Sequence, residues 1–519
     1  MLIWARRISQ GLFLLLFLFL FLQTESKGTD QLGYPAKLFL DFDPLLALAT
    51  LLSGRTLVAG FALSLILVAI TAVLGRVFCG WACPLGTLNN MVGAMKRWRA
   101  KQRLRGWFHA KYLLLIFLLA GSMAGIQLSG LFDPLSLLVR HLSLGFYPSL
   151  NYAANGFMDA VYQADLKTLT RVAEVIFGFI KKTVLAFEQP HFNQGTLMTV
   201  LLVAILLLNL SERRFWCRYL CPLGALLGLI GRWAFLKREL AESCNDCGAC
   251  DRVCQGGLKN RTWTATECLY CMACDDACPK TTVSFGFSRK PHPKSLNLVR
   301  RKVLWAGGAG LASVAVSRAT PSFDEKRANP VLIRPPGSLP EPEFLSRCVK
   351  CGECMKVCPT NALQPTLFEA GFEGIWSPVL VPTIGHCEFN CTLCGQVCPT
   401  GAIKTLTPAE KTRWRIGTAM IAHGRCLPHA HATPCIVCEE VCPTPTKAIW
   451  FEEKLEKNRN GQKVLLKQPH VDLTLCIGCG ICEAKCPVSD RPAIYVTSIG
   501  ETRSKKNQLL LENSSSYGG

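Results

Sequence analysis

Cysteine dominates the chemistry open to this chain: 28 of its 519 residues are cysteine, more than a packing role would use. Twenty-four of them fall into six quartets. Cys244, Cys247, Cys250 and Cys254 follow the spacing C-x2-C-x2-C-x3-C, and Cys268, Cys271, Cys274 and Cys278 repeat it. Cys348, Cys351, Cys354 and Cys358 come next, then Cys387, Cys391, Cys394 and Cys398 with three residues in the first gap. Cys426, Cys435, Cys438 and Cys442 have eight residues there, and Cys476, Cys479, Cys482 and Cys486 close the series. Three closely spaced thiolates cap one face of a 4Fe-4S cube, while the fourth reaches a neighbouring cluster. Five of the six quartets end in Cys-Pro, the exception being Cys254 before Gln255. Structural zinc prefers two separated C-x2-C knuckles, and disulfides need no three-plus-one pattern. The quartets therefore predict six 4Fe-4S clusters, with these 24 cysteines as metal ligands.

This is the spacing of bacterial-type ferredoxins. Exchange of the fourth cysteine pairs Cys244, Cys247 and Cys250 with Cys278, and Cys268, Cys271 and Cys274 with Cys254. For the last four quartets, resemblance to the four-cluster ferredoxin subunits of respiratory reductases implies nesting, first with fourth and second with third. His423, His429 and His431 surround Cys426; they read as a polar loop filling the eight-residue gap rather than as metal ligands.

The remaining four cysteines stand in a duplicated setting. FCGWACPLGTL from Phe78 is echoed by WCRYLCPLGAL from Trp216, and LDFDPLLAL from Leu40 by LFDPLSLLV from Leu131. Each half runs Asp-Pro-Leu, an apolar stretch, then C-x3-C-P-L-G, and such duplication is how membrane proteins build a site between related halves. Cys79 and Cys83, like Cys217 and Cys221, are four apart, so on a helix both would face one way until the proline ends or redirects it. They could share a metal, work as catalytic thiol pairs, or be small buried apolar residues. Asp43-Pro44 and Asp133-Pro134 fit an N-cap aspartate followed by proline at the first helical position. The competing role is quinol deprotonation by a carboxylate near lipid.

Apolar segments must position these groups. Half of the residues are hydrophobic and 18% are charged, which excludes a disordered chain and points to membrane spans. Spans are predicted at residues 8–22, 56–75, 112–131 and 195–210. The first follows Arg6 and Arg7 and lacks a small-residue cleavage site, so it reads as an anchor with its amino end inside. The loop after the second span carries Arg76, Lys96, Arg97, Arg99, Lys101, Arg103, Arg105 and Lys111 with no acidic residue, a cytoplasmic signature. Residues 128–194 hold five basic and five acidic side chains, as expected outside, and Arg213, Arg214 and Arg218 return to the cytoplasm. Topology thus accounts for the net charge of +21, and with no reading motif beside it nucleic-acid binding is not expected.

Between Cys278 and Cys348, Arg300 and Arg301 precede a short apolar run, residues 303–316, followed by Pro330, Pro335, Pro336, Pro340 and Pro342. Twin arginines before an apolar stretch resemble a Tat signal, with Val299 and Val303 departing from it. The segment is a fifth candidate crossing and places residues 320–519 outside. The predicted architecture is an α-helical membrane domain of four spans, plus this fifth candidate, with α+β bacterial-type ferredoxin domains. Residues 1–240 form the membrane domain, 241–290 a cytoplasmic two-cluster domain, 291–342 the crossing and Pro-rich linker, and 343–519 a periplasmic four-cluster domain.

On these motifs the chain resembles two ferredoxin-type families joined end to end. Residues 1 to about 290, with duplicated C-x3-C-P and a two-cluster tail, look like NapH and MauN; residues 297–519, with twin arginines and four quartets, look like NapG and MauM. The resemblance implies a quinol dehydrogenase component in the bacterial inner membrane. Quinol from the quinone pool would be the donor, and a periplasmic reductase such as nitrate reductase, or a c-type cytochrome, the acceptor. It carries over the six quartets as cluster ligands and Cys79, Cys83, Cys217 and Cys221 as the family's paired cysteines. Related membrane ferredoxins serve methylamine utilisation, nitrous oxide reductase maturation or copper reduction for oxidase assembly. The rival expectation is therefore a cupric or thiol reductase, an assembly factor in which those four cysteines are the working thiols. No C-x-x-C-H haem site occurs in the sequence, so a cytochrome would be a separate subunit.

Overall fold

The computed structural model describes the chain apart from residues 1, 27, 29, 36, 96–104, 165–166, 187, 257, 260–261, 289–298, 319–328, 458–460 and 509–519. The basic run Lys96, Arg97, Arg99, Lys101 and Arg103 thus lies outside the described residues.

Unbroken Leu and Phe make Leu2–Gln23 one 22-residue helix, α1. It is the helix, among the described residues, long and apolar enough to cross a membrane. The duplicated halves then supply α2 (Pro44–Gly54), α3 (Ser64–Leu74) and α4 (Pro84–Ala94). After α5 (Ala110–Met123) come α6 (Pro134–His141), α7 (Gly195–Leu207) and α8 (Pro222–Ile230). The other three predicted spans fold as the shorter apolar stretches Ala59–Leu74, Trp107–Met123 and Gly195–Leu210. At 1.5 Å per residue these rise about 24 Å, short of the roughly 30 Å hydrocarbon core. Among the described residues, one helix of full spanning length and three shorter apolar stretches thus stand where four spans are expected. The reasons are local: residues 55–58 are not helical ahead of Ala59, and Gly125 (φ 91°) prevents α5 from continuing, so a new short helix starts at Ser129 inside the expected 112–131 span.

Apolar faces of these helices meet in one core that includes Phe17, Leu45, Leu115, Leu138, Leu202 and Leu223. Helix α9 (Arg300–Arg318) follows the twin arginines and lies along α5. A Cβ on Gly310 would come within 2.4 Å of the Phe117 carbonyl oxygen, and one on Gly121 within 3.5 Å of the Gly310 oxygen. Only glycine permits that backbone approach. Ile116 meets Gly307 and Gly121 meets Ser313, so contacts advance together along the two helices and α9 runs parallel to α5.

The cysteine quartets sit on small α+β units. Strand β1 (Leu236–Leu240) pairs antiparallel with β2 (Val283–Phe287) around the first two quartets. Later, β3 (Leu363–Pro365) pairs with β4 (Pro378–Leu380), β5 (Thr418–Ile421) with β8 (Ile494–Thr497), and β6 (Ile449–Lys457) with β7 (Lys463–Val471) as a nine-residue hairpin. These units occupy opposite ends of the helical half. Near its start α1 touches the first C-x3-C turn, Gln10 Nε2 donating to the Gly80 oxygen at 2.7 Å. At its far end Lys356 Nζ donates to the Phe21 and Thr24 oxygens at 2.6 and 2.7 Å. Along α5, Lys111 pairs with Glu267 of the 241–288 unit, while Gln127 just beyond accepts from Lys350 of the later unit.

Candidate electron-transfer site

Four cavities are each lined by three cysteines of one quartet and the fourth cysteine of another. Cys268, Cys271 and Cys274 share one with Cys254; Cys348, Cys351 and Cys354 with Cys398; Cys426, Cys435 and Cys438 with Cys486; Cys476, Cys479 and Cys482 with Cys442. Cys358 lies beside Cys387, Cys391 and Cys394. Cys250 and Cys278 pack on one small core, and Cys244 and Cys247 are partly exposed on the same unit. For the first unit the structure shows the expected exchange at the cage that Cys254 completes. The nested arrangement expected for residues 343–519 is wrong: the first quartet pairs with the second, and the third with the fourth. Strand pairing decides this, because β5 ahead of the third quartet is hydrogen-bonded to β8 after the fourth.

These cages fit 4Fe-4S clusters by donor chemistry. Among the described residues no three His, Cys, Asp or Glu donors close around a single ion, whereas a polynuclear cluster holds its thiolates farther apart. Backbone N–H groups point at the sulfurs, as of Tyr270 at Cys268, Ile403 at Cys398, Ala419 at Cys476 and Ala493 at Cys486, each at 3.4 Å. Such bonds tune cluster potentials. The two later pairs meet where Cys387 N–H donates to the Cys479 oxygen at 2.8 Å. In space the quartets therefore run from that of Cys348 to those of Cys387, Cys476 and finally Cys426. At the last, His423 and His429 stack at 4.3 Å with His470 beside them, and His429 Nε2 lies 3.0 Å from the Pro469 oxygen. The rings pack on each other.

The first of these quartets is seated on α2 and α6, the helices that begin at Asp43-Pro44 and Asp133-Pro134. Ser136 Oγ donates to the Val349 oxygen at 3.0 Å, Ser53 Oγ to the Ser346 oxygen at 2.6 Å, and Arg140 Nη1 to the Lys350 oxygen at 3.0 Å. A Cβ on Gly130 would lie 2.0 Å from the Val349 oxygen. Asp43 and Asp133 cap α2 and α6, each accepting from the backbone N–H groups two and three residues on, with proline at N1 in both helices. The N-cap reading holds, and it is not all these residues do. The two carboxyl groups are buried and lie beside each other, each with one oxygen that has no hydrogen-bond partner. Two buried carboxylates side by side would repel each other and leave both oxygens unsatisfied, so the pair is expected to share one proton.

At the other end, the loop that carries the second quartet is seated on the first C-x3-C turn. Trp81 Nε1 donates to the Tyr270 oxygen at 2.9 Å and Arg76 Nη1 to the Thr266 oxygen at 2.8 Å. A Cβ on Gly80 would meet the Leu269 oxygen at 2.3 Å. The duplicated cysteines do not lie on one helix apiece. Cys79 belongs to the short helix Val77–Trp81, and Cys83 is the N-cap of α4, its Sγ accepting from Gly86 N–H at 3.4 Å. Cys217 and Cys221 repeat this on Phe215–Tyr219 and α8, with Gly224 N–H at 3.2 Å. Proline redirects the chain into a new helix by occupying its first position. All four cysteines are buried and near one another.

Two buried arginines complete this arrangement, and sequence reading missed their role. Arg76 and Arg214 each stand three residues before a cysteine, so the repeat is R-x2-C-x3-C-P-L-G. The signal was present in the duplication but was absorbed into the topology argument.

Fold and site together define an iron-sulfur electron-transfer protein. A 4Fe-4S binding domain model matches residues 56–102 and 194–240, a 4Fe-4S dicluster domain model residues 347–402, and a further 4Fe-4S binding domain model residues 469–489. The dicluster match spans the Cys348 and Cys387 quartets as one unit, in agreement with their pairing. YccM of Escherichia coli is 30% identical over 259 residues, 46% of this chain, which covers 60% of that protein's length. The methylamine utilization ferredoxin-type protein MauM of Methylorubrum extorquens is 34% identical over 35% of this chain and 79% of its own. The ferredoxin-type protein NapG of Escherichia coli is 33% identical over 40% of this chain and 87% of its own. No solved structure matches. The chain belongs to the polyferredoxin family of these ferredoxin-type electron-transport proteins.

Proposed function

We propose that this protein is a quinol dehydrogenase component of the bacterial inner membrane. Electrons from quinol at the helical half pass through the clusters of residues 343–508 to a periplasmic reductase or c-type cytochrome. The observation that carries the reading is the double seating: α5 meets the 241–288 unit at its start and the Lys350 loop just beyond its end, so the helical half is the spacer between two sets of clusters. On this reading α1, the three shorter apolar stretches and α9 cross the membrane together. The amino end is cytoplasmic, with the 241–288 unit. Running parallel to α5, α9 carries the chain from the Glu267 end to the Lys350 end, which supports a periplasmic four-quartet unit on this reading. Six 4Fe-4S clusters are expected, ligated by the 24 quartet cysteines in the pairing given above. The assembly-factor alternative has the duplicated cysteines attacking an external copper ion or disulfide, and their burial disfavours it, because a working thiol needs access.

The test mixes anaerobically purified, oxidised protein with a quinol and follows its iron-sulfur EPR signals. Reduction of the clusters of residues 343–508 is expected. No reduction, in protein with its clusters intact, overturns the quinol reading in favour of a cytoplasmic donor.

A further inference from the structure

The four duplicated cysteines are left without work by six ferredoxin-type cages. We propose that Cys79, Cys83, Cys217 and Cys221 together hold one further iron-sulfur cluster, shared between the two halves of the helical domain. The family model matching residues 56–102 and 194–240 is described as a 4Fe-4S binding domain, yet each matched segment contains only two cysteines. Neither can ligate a cluster alone. Brought together across the repeat, they supply the four thiolates a cluster takes.

Three features of the site select a cluster over thiol pairs or a single ion. First, Cys83 and Cys221 accept backbone N–H bonds at 3.4 and 3.2 Å, the interaction seen at the quartet cysteines Cys268, Cys398, Cys476 and Cys486. Asn89, from the first half, points its amide at Cys217 of the second at 3.7 Å. Second, the site shares with the ferredoxin cages the lack, among the described residues, of a tight three-donor group of the kind a single ion takes.

Third, the surroundings carry the compensating charge. Arg76 lies beside Cys79 and Cys221, and Arg214 beside Cys83 and Cys217. Each reaches across the repeat: Arg214 Nη1 donates to the Cys79 oxygen at 2.9 Å, and Arg76 Nη2 would lie 2.7 Å from a Cβ on Gly224. Buried Lys111 is nearby, and Glu267 is paired with Arg76 and Lys111. Arg76, Arg214 and Lys111 less Glu267 leave two positive charges beside the cysteines, and Arg6, near Arg214, adds a third. Four thiolates around a dipositive iron-sulfur core leave two negative charges. Arg214 Nε and Nη2 are fully buried with no hydrogen-bond partner, a costly state that a dianionic cluster beside them would relieve. Arg6 stands between Arg214 and Cys271, so the centre adjoins the cage of Cys254, Cys268, Cys271 and Cys274. It would take one electron and pass one on, with no bond made or broken, as a stepping stone within the helical half.

The inference does not rest on quinol as donor, because its readout is composition. Full-length protein, purified anaerobically, is compared with Cys83→Ser and with the Cys79→Ser/Cys217→Ser double variant for iron and acid-labile sulfide per chain, and by Mössbauer spectroscopy. The expected result is loss of one cluster's iron and sulfide in equal numbers, with the EPR signals of the ferredoxin clusters retained as proof of folding. Unchanged iron in both variants overturns the proposal, as does loss of zinc or copper instead. Should the cysteine variants fail to fold, Arg214→Gln, which keeps the ligands, is expected to lower the midpoint potential of a signal that no quartet variant removes; absence of such a signal also overturns it.

Discussion

Arg140 is the residue through which the helices act on the first cluster of the later unit. Its guanidinium is buried, donates to the Lys350, Gly130 and Leu131 oxygens at 3.0, 3.1 and 3.1 Å, lies 4.7 Å from the Trp376 ring centroid, and is close to Cys348 and Cys351. A reduced cluster carries one more negative charge than an oxidised one, so a fixed cation nearby favours reduction. At an effective dielectric of about 20, a unit charge roughly 8 Å away is worth about 2 kcal/mol, which for one electron is about 85 mV. Arg140→Met is therefore expected to lower the midpoint potential of the cluster held by Cys348, Cys351, Cys354 and Cys398 by roughly 50 to 100 mV. The other clusters should move far less. EPR-monitored redox titration reads this directly. Arg140→Lys separates charge from geometry: it loses the three-oxygen bracing but keeps the cation, and should recover most of the potential. If Arg140→Met leaves the potential unchanged, or if Met and Lys shift it equally, the electrostatic argument is refuted and Arg140 only fastens the loop.

Three further outcomes follow from the geometry. Cys398→Ser is expected to perturb the cluster of Cys348, Cys351 and Cys354 while sparing that of Cys387, Cys391 and Cys394; EPR or Mössbauer spectra showing the reverse would contradict the paired arrangement. Asp43→Asn keeps the cap and can donate to Asp133, so stability should change little, and the infrared band of a protonated buried carboxyl group should disappear. A wild-type protein without that band would contradict the shared proton. Burial alone would raise the Glu341 carboxyl, but Arg334 and Arg503 outweigh it and hold it at about 2 against an ordinary 4.5, worth about 3 kcal/mol at neutral pH. Because the folded value is depressed, this stabilisation is complete above about pH 4.5 and lost as pH falls toward 2. Glu341→Gln should thus lower the denaturant midpoint at pH 7, monitored by cluster absorbance, and flatten its dependence on pH in the acid range.

Much of this molecule is legible in its sequence because iron-sulfur ligation is a local code. Three thiols within a few residues announce a cage, and Asp-Pro announces a helix start whether or not the helix is long. What was not legible depends on partners far apart in the chain. All four later quartets have similar spacing, so their pairing is settled by β5 meeting β8 and by Cys387 meeting Cys479. The meeting of Asp43 with Asp133, and of Cys79 and Cys83 with Cys217 and Cys221, likewise needs the two halves folded onto each other. The helix within residues 112–131 is shorter than the apolar run because apolar composition continues through Gly125, where the helical backbone does not. Arg76 and Arg214 were visible but explained too early by topology.

Exchange of the fourth cysteine has a consequence for how such a chain can change. Cys398 serves the cage of Cys348 and Cys358 that of Cys387; Cys486 and Cys442 trade places in the same way. A quartet is therefore not a unit that can be gained or lost. A chain ending between Cys442 and Cys476 would keep three of the four ligands of one cage and strand the fourth cysteine of another. Viable lengths of the later region step by two clusters at a time, and the smallest heritable part is a reciprocal pair.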